Sequence, residues 1–491
     1  MRSITLRETS GHLPYTLWWL LAAVSAGLLI ARLPLTTTAA LIALPAVGLL
    51  TLMHPLSAVA FLLIASPLRN LIATESPLNL PLDIGQILVM LSLFAYFIWN
   101  VGHNRRLLTT SGLPWLLPLI VFIAATGATV FEALSVSAWL SEWLKWVMIY
   151  ILALLVLNMG HWQWLLAILA LTAAAHAVVG IYIFFGGSGA LHLLINDRFF
   201  RAFGTFGQPN PFGGFMGLLA PTILFTGLGY GARVLADFQR NRRVNVTSLL
   251  IMGYYLSCSG LALAALVMSW SRGAWLGIIV ALVTAMVALP RRWYRRLALF
   301  ILLVAVSGTL WFSGRLPATI VDRIQSATQE IFTFNDVRGV DITPLNYAIV
   351  ERLAHWQAAL NMSRDNWWLG VGFGNYEIAY PQYRLLNWPE PLGHAHNYYL
   401  NVLGETGIIG AVSFLALWLW LLFITLRACR HPDLLARMVA VGLIGSWIYL
   451  LVHSLTDNLF VNNLFLHLGI MIGIATYLYQ QLWRTETIKI K

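Results

Sequence analysis

From Val244 to Ser271 the chain runs without an Asp, Glu, Lys or Arg, and from Gly273 to Pro290 it does so again, with Arg272 alone between. A bilayer core about 30 Å thick takes roughly 20 apolar residues as one helix, so each run has room for one span. The pattern recurs. Residues 13–31, 84–104, 107–131, 297–314, 406–426, 438–456 and 458–483 are uncharged and hold one span each. Residues 33–68 have room for two, the second of them, after Pro55, short or re-entrant. Residues 146–196 hold two, broken near Asn158-Met-Gly-His161, and residues 202–232 hold one after a start rich in Gly and Pro. Of the 491 residues 59% are hydrophobic and 10% charged. A soluble domain carries about 25% charged residues, so this supply cannot cover a water-facing surface. The expected fold is an all-α polytopic membrane protein of about 12–14 transmembrane helices, because helices satisfy their own backbone groups in hydrocarbon.

The net charge of +11 would suggest nucleic acid in a soluble protein. Its placement gives another reason. With a cytoplasmic N-terminus, the alternate loops hold Arg2 and Arg7; Arg105 and Arg106; Arg233, Arg240, Arg242 and Arg243; Arg291, Arg292, Arg295 and Arg296; Arg427, Arg430 and Arg437; and Arg484, Lys489 and Lys491. These are 18 of the 30 basic residues, against four acids, Glu8, Asp237, Asp433 and Glu486. Basic loops stay on the cytoplasmic side, so both termini are expected there, and the first apolar stretch is expected to be a retained span. The expected location is the cytoplasmic membrane, with the bilayer as partner and no nucleic acid.

One long hydrophilic segment, 315–395, then falls outside, with six Arg and eight acidic residues. The organisation expected is transmembrane helices over 1–314, a large extracytoplasmic loop over 315–395, and C-terminal transmembrane helices over 396–491. Leu353, Trp356 and Leu360 recur at helical spacing, so Val350–Met362 is expected to be an amphipathic helix lying over the membrane part. Cys258 falls mid-span and Cys429 at the inner end of a span, too far apart in depth for a disulfide.

Ionisable groups near hydrocarbon are costly and mark function. Four places on the outer face qualify. Arg201 precedes an irregular Gly/Pro-rich stretch, Gly204-Thr-Phe-Gly207-Gln-Pro-Asn210, where a guanidinium can grip phosphate in two-pronged fashion; the plainer reading is an arginine reaching lipid headgroups. Arg272, in Ser271-Arg272-Gly273, is held at the surface by a very short loop and suits an anion or a simple turn. His394-Ala-His396-Asn397 stands where the long loop meets a span, and a neutral imidazole, pKa about 6.5, can take a proton. The two histidines show no third ligand in sequence, so no metal is expected. His453 and Asp457, four apart, share a helix face if the helix continues through them, either as part of a site or as a water-exposed helix end. Gly370-Val-Gly372-Phe-Gly374 lacks the strand–turn–helix setting of a nucleotide loop.

These residues together resemble a family. His396-Asn397, nine residues and then Gly407-Ile-Ile-Gly410 is similar to the His-Asn motif of bacterial O-antigen ligases and their polymerase relatives. Arg352…Trp356-Gln-Ala-Ala-Leu360…Gly370-Val-Gly-Phe-Gly374…Tyr380…Tyr383 resembles the family's large periplasmic loop. Arg201 with Gly204-Thr-Phe-Gly207 and Asn210, and Ser271-Arg272-Gly273, resemble its two earlier arginine motifs, and His453 with Asp457 its last outer motif. The resemblance runs from about 200 to 465. The family has about a dozen spans; the extra ones here would be N-terminal.

The resemblance implies a metal-independent, inverting glycosyltransferase without cofactor. Its donor is a glycan on undecaprenyl diphosphate, and its acceptor a hydroxyl on a glycan, lipid or other envelope molecule. His396 is then the catalytic base, Arg201 and Arg272 bind the donor diphosphate, and Asn397, Arg352, His453 and Asp457 support them. Ligase and polymerase remain alternatives. A transporter or channel for a small anion is the reading from another class, but transporters place ionisable groups near the midplane and often carry repeats, whereas these groups gather at one face.

Overall fold

The structure, a computed structural model, describes residues 15–32, 45–75, 82–108, 110–187, 190–195, 197–314, 321, 325, 336–343 and 346–490. The expectations for Arg2, Arg7, Glu8 and the span within 33–44 fall outside these residues. The chain is an α-helical, polytopic membrane protein. Ten helices of the described residues are long and apolar enough to cross a bilayer, from Pro55–Thr74 to Leu434–His453, and Trp18–Leu28 and Arg272–Ala288 are shorter apolar helices. Strand structure among the described residues is one antiparallel pair, Leu194–Ile195 with Phe199–Phe200.

Two expected spans are drawn differently. The run after Pro55 is a 20-residue helical passage, longer than expected, with a 3-10 turn at Ser66–Leu68 between its two α-helical parts. Pro55 sits in the first turn, where a missing N–H costs nothing, and the His54 ring caps it by accepting from Leu56 N–H at 3.1 Å. The span expected to start near 146 starts at Val136. It thereby takes in Glu142 and Lys145, whose side chains meet at 2.5 Å on the helix and compensate one another. The break at Gly160 falls where expected, with φ +69 closing one helix before the next begins at Trp162.

The Pro209–Asn241 helix is the hub, packed by Val246–Met268, Leu434–His453 and Arg272–Ala288. Thr222 and Ser446 share a 2.8 Å hydrogen bond across the crossing with Leu434–His453, and Gly442 lies against Thr222. Leu464–Ile490 packs on Val136–Met159. By contrast, Phe300, Ile301, Leu302 and Val304 of the Trp293–Phe312 helix are all exposed, a surface suited to lipid and not to water. Arg233 with Asp433 (2.8 Å) and Arg427 with Glu486 (3.3 Å) join helices at one end of the bundle. The candidate residues collect at the other end. Cys258 and Cys429 are free and buried.

Over the candidate end lie the Tyr347–Asp365 helix and the short Tyr376–Tyr383 helix. The expected helix over the membrane part is present: it packs on the Tyr398–Ala428 helix, with Ala359 against Gly404. Leu353 and Trp356 meet that span through Leu400 and otherwise face the long segment itself. They pack with Val337, Val350 and Trp388, while Ala358, Ala359 and Met362 pack with Tyr376 and Tyr380. Leu360 is only partly buried. The long segment thus has small cores of its own around a helix buried on most sides.

The span expected at 406–426 belongs to a longer helix, Tyr398–Ala428, bent at Gly407 (φ 59°, ψ −163°). Only glycine adopts that conformation without strain. The freed backbone groups are taken up by the long segment: Ile408 N–H donates to Trp367 O at 2.9 Å, and Val371 N–H to Gly404 O at 3.1 Å. The same segment is fixed to another span start, with Ser135 N–H donating to Asn375 Oδ1 at 2.6 Å and Phe373 N–H to Thr129 Oγ1 at 3.0 Å. This is the work of the Gly370–Gly374 stretch: φ is positive at Gly370, Gly372 and Gly374, which lets its backbone lie directly on both membrane helices.

Candidate active site

Arg201 ends the small hairpin. Its backbone N–H donates to Leu193 O at 2.8 Å, and its guanidinium donates to Ser269 O (3.2 Å) and to Asn210 Oδ1 (3.3 Å). Arg272 opens the Arg272–Ala288 helix behind the cap Ser271, reached through Trp270 in the left-handed region (φ 56°). Arg352 reaches in from the Tyr347–Asp365 helix above. All three line one cavity of about 190 Å³, with Asn210, Ser271, His453 and Thr456. Burial pulls the Arg352 guanidinium down to about 10, still protonated at neutral pH. Three guanidinium groups from three separate parts of the chain, with neutral donors between, give the cavity the chemistry to hold an anion.

Gly273 explains why the arginine motif has a glycine. A Cβ there would stand 2.3 Å from Thr456 Oγ1 and 2.5 Å from His453 Cδ2. Gly273→Ala is therefore expected to push the Arg272 turn away from His453 and to lower activity roughly ten- to a hundredfold with the protein still folded, since displacements near 1 Å reach that size. Comparing turnover and thermal stability of the purified variant checks this; wild-type turnover would show that the close approach is dispensable.

Beside the cavity lies a second cluster. His396 has φ +52, a left-handed conformation uncommon outside glycine and concentrated at functional sites. Asn397 caps the following helix, its Oδ1 accepting from Tyr399 N–H (3.1 Å) and Leu400 N–H (3.2 Å). Tyr398 N–H donates to Ser454 O at 2.8 Å and ties the turn to the end of the Leu434–His453 helix. Asn397 thus fixes the path of the chain through His396; its side-chain oxygen is spent on the helix, not on the imidazole.

The turn also places His394. On a helix or a strand it would sit apart from His396; the left-handed residue folds the two rings to 4.4 Å between centroids. Both face Asp457, His394 Nε2 at 3.6 Å and His396 Nδ1 at 3.8 Å from Oδ1. Asp457 is not on a continued helix. The helix ends at His453, and a turn follows that carries Asp457 inward. His453 and Asp457 are buried, so the water-exposed helix end is ruled out. His453 lines the arginine cavity, oriented by Tyr449, whose hydroxyl donates to Gly213 O (2.7 Å) and accepts from Nδ1 (2.9 Å).

Burial pushes the His396 imidazole down to about 3, and the His394 ring beside it pushes the same way. Burial also lowers His394, with Asp457 opposing. For Asp457 burial favours the neutral acid, but His394, His396, Arg352 and His453 outweigh it and hold the carboxyl below its usual value. The cluster is therefore two neutral imidazoles on an ionised carboxylate next to Arg352.

His394, His396 and Asp457 place their ligating atoms within 4.8 Å of one another, a grouping hidden in the sequence because Asp457 comes from a distant segment. The hydrogen bonds decide whether a cation fits. His394 Nδ1 accepts from His396 N–H at 3.0 Å, so its proton is on Nε2, the atom that faces Asp457. That nitrogen carries a proton toward the carboxylate 3.6 Å away, not a lone pair for a metal, and Arg352 adds positive charge. With that tautomer His394 offers no lone pair to a cation beside Asp457.

Two further residues escaped the sequence reading. His355, buried, lies 5.8 Å from His396 between ring centroids. Glu405, buried on the bent helix, accepts from Tyr376 N–H at 3.0 Å. Neither carries a sequence signal: one histidine in a hydrophilic segment and one acid before a span are unremarkable until folded.

No curated protein matches the chain. Residues 258–415, about a third of the chain, match the model of the family described as O-Antigen ligase, a stretch holding Arg272, Arg352, His394, His396 and Asn397 and ending before His453 and Asp457.

Proposed function

We propose that the protein is a membrane-embedded, metal-independent inverting glycosyltransferase that moves a glycan from undecaprenyl diphosphate to an acceptor hydroxyl, as an O-antigen ligase does. The observation that carries this is the junction of an arginine-lined cavity with a neutral histidine–aspartate cluster at one end of the bundle. The family match over 258–415 supports it. Arg201, Arg272 and Arg352 hold the diphosphate and stabilise its charge as it leaves. Asp457 faces Nδ1–H of His396, which leaves Nε2 to accept the proton from the attacking hydroxyl. The acceptor oxygen bonds to the anomeric carbon as the carbon–phosphate oxygen bond breaks, and undecaprenyl diphosphate departs with the electron pair. Attack opposite the leaving group inverts the anomeric centre.

The orientation belongs to the proposal: residues 315–395 outside the cytoplasmic membrane, residues 1–314 and 396–491 forming its helices, and both termini inside. Membrane-impermeant labelling of cysteines introduced at Gln325 and Asn241 is expected to modify the first only; equal labelling from outside would overturn the orientation and the catalytic reading with it. The activity is tested by transfer from a labelled undecaprenyl-diphosphate glycan to a panel of glycan, lipid A-core and protein acceptors. A glycan-repeat acceptor alone would make the protein a polymerase; no transfer to any acceptor would remove the proposal.

A further inference from the structure

His355 is 1% exposed and tightly oriented. Its ring stacks on Tyr380 at 4.7 Å between centroids, 20° from parallel. The Tyr376 hydroxyl lies 2.9 Å from Nδ1 and 3.3 Å from the His355 carbonyl oxygen. A phenol has one proton to give. Donated to the carbonyl, it leaves the phenol oxygen to accept from Nδ1–H, and Nε2 then carries a lone pair. That Nε2 is buried and has no hydrogen-bond partner among the described residues. Burial, reinforced by His394, lowers the His355 pKa to about 4, so the ring is neutral. A buried polar atom left unpaired is costly, and this one belongs to a ring next to His396. Its surroundings say what it waits for. His355 is beside His396 and one helical turn past Arg352, and it does not line the arginine cavity.

Resting on the reading of His396 as the base, we propose that His355 is a positioning residue for the acceptor: Nε2 accepts a hydrogen bond from a sugar hydroxyl next to the one that reacts. Two neutral imidazoles side by side, each offering a lone pair, match a pair of neighbouring hydroxyls. The acceptor class is therefore a sugar presenting a diol, not an isolated alcohol.

The two amide substitutions separate this role from a structural one. Asn puts its amide near the position of Nδ1 and keeps the Tyr376 contact; Gln puts an acceptor oxygen near Nε2 and gives up that contact. Full-length protein in lipid nanodiscs would be assayed with a labelled undecaprenyl-diphosphate oligosaccharide and a soluble oligosaccharide acceptor. His355→Phe and His355→Asn are expected to raise the acceptor KM about three- to tenfold, the size of one lost neutral hydrogen bond, with the donor KM unchanged. His355→Gln is expected to restore part of that loss. An Asn variant equal to wild type or better than Gln, or a change confined to donor KM, would overturn the proposal; if the Phe variant does not fold, the Asn and Gln pair decides. Wild-type-level activity in His396→Ala would instead overturn the base assignment on which this rests, a result separable from those at His355.

Discussion

Replacing His396 with alanine is expected to lower the transfer rate at least about a hundredfold, the usual minimum for a lost general base, while donor binding is largely kept. Donor binding persists because the ring lines no part of the arginine cavity. The pH dependence makes the assignment sharper. An undisturbed imidazole would lose activity as pH falls through about 6.5. Here burial and the neighbouring His394 hold His396 neutral down to about 3, with Arg352 and His355 facing it in the same sense and Asp457 opposing. The protonated ring cannot accept, so the acidic limb of kcat/KM should fall well below pH 6 and not near 6.5. Chelation by EDTA should leave the rate unchanged, because His394 presents a proton to Asp457. A near wild-type rate in His396→Ala, or loss of wild-type activity on chelation, would refute the assignment.

Arg201→Ala and Arg272→Ala are each expected to abolish transfer or lower it at least about a hundredfold, as removal of a preorganised stabiliser of leaving-group charge does. Their supports differ. Arg201 is aimed by Ser269 O and Asn210, and Arg272 by the cap and the Gly273 approach. Lysine at either position should rescue only in part, since a point charge cannot give the planar two-pronged contact. Measured separately, donor affinity and turnover should both suffer in the alanine variants, unlike His396→Ala. Full activity of both would remove the cavity from the mechanism.

The residues legible in sequence were those standing out against an uncharged background: Arg201, Arg272 and Asp457 each interrupt or bound a long apolar run, and His453 lies four residues before Asp457. The histidine turn was half legible. His396 could be named, but its grouping with His394 depends on one left-handed residue, which no spacing rule announces. Asn397 was visible, and its job as a helix cap was not. Span boundaries failed where charge was paired, as at Glu142 and Lys145, because a charge count sees two ions where the helix carries a compensated pair. His355 was illegible because its meaning comes from Tyr376, Tyr380 and His396 closing around it.

The stitching of the long segment to the bent helix at Gly407, and again to the start of the Val136–Met159 helix, bears on traffic. A covering tied along its middle by hydrogen bonds to two membrane helices is built as a roof and not as a hinged flap. For the lipid-borne donor proposed here, passage is then sideways: the polyprenyl tail stays in the bilayer while the head slides beneath the eaves toward the arginines. The growing or receiving glycan needs only a gap at the roof's edge, so chain length places no demand on the volume enclosed.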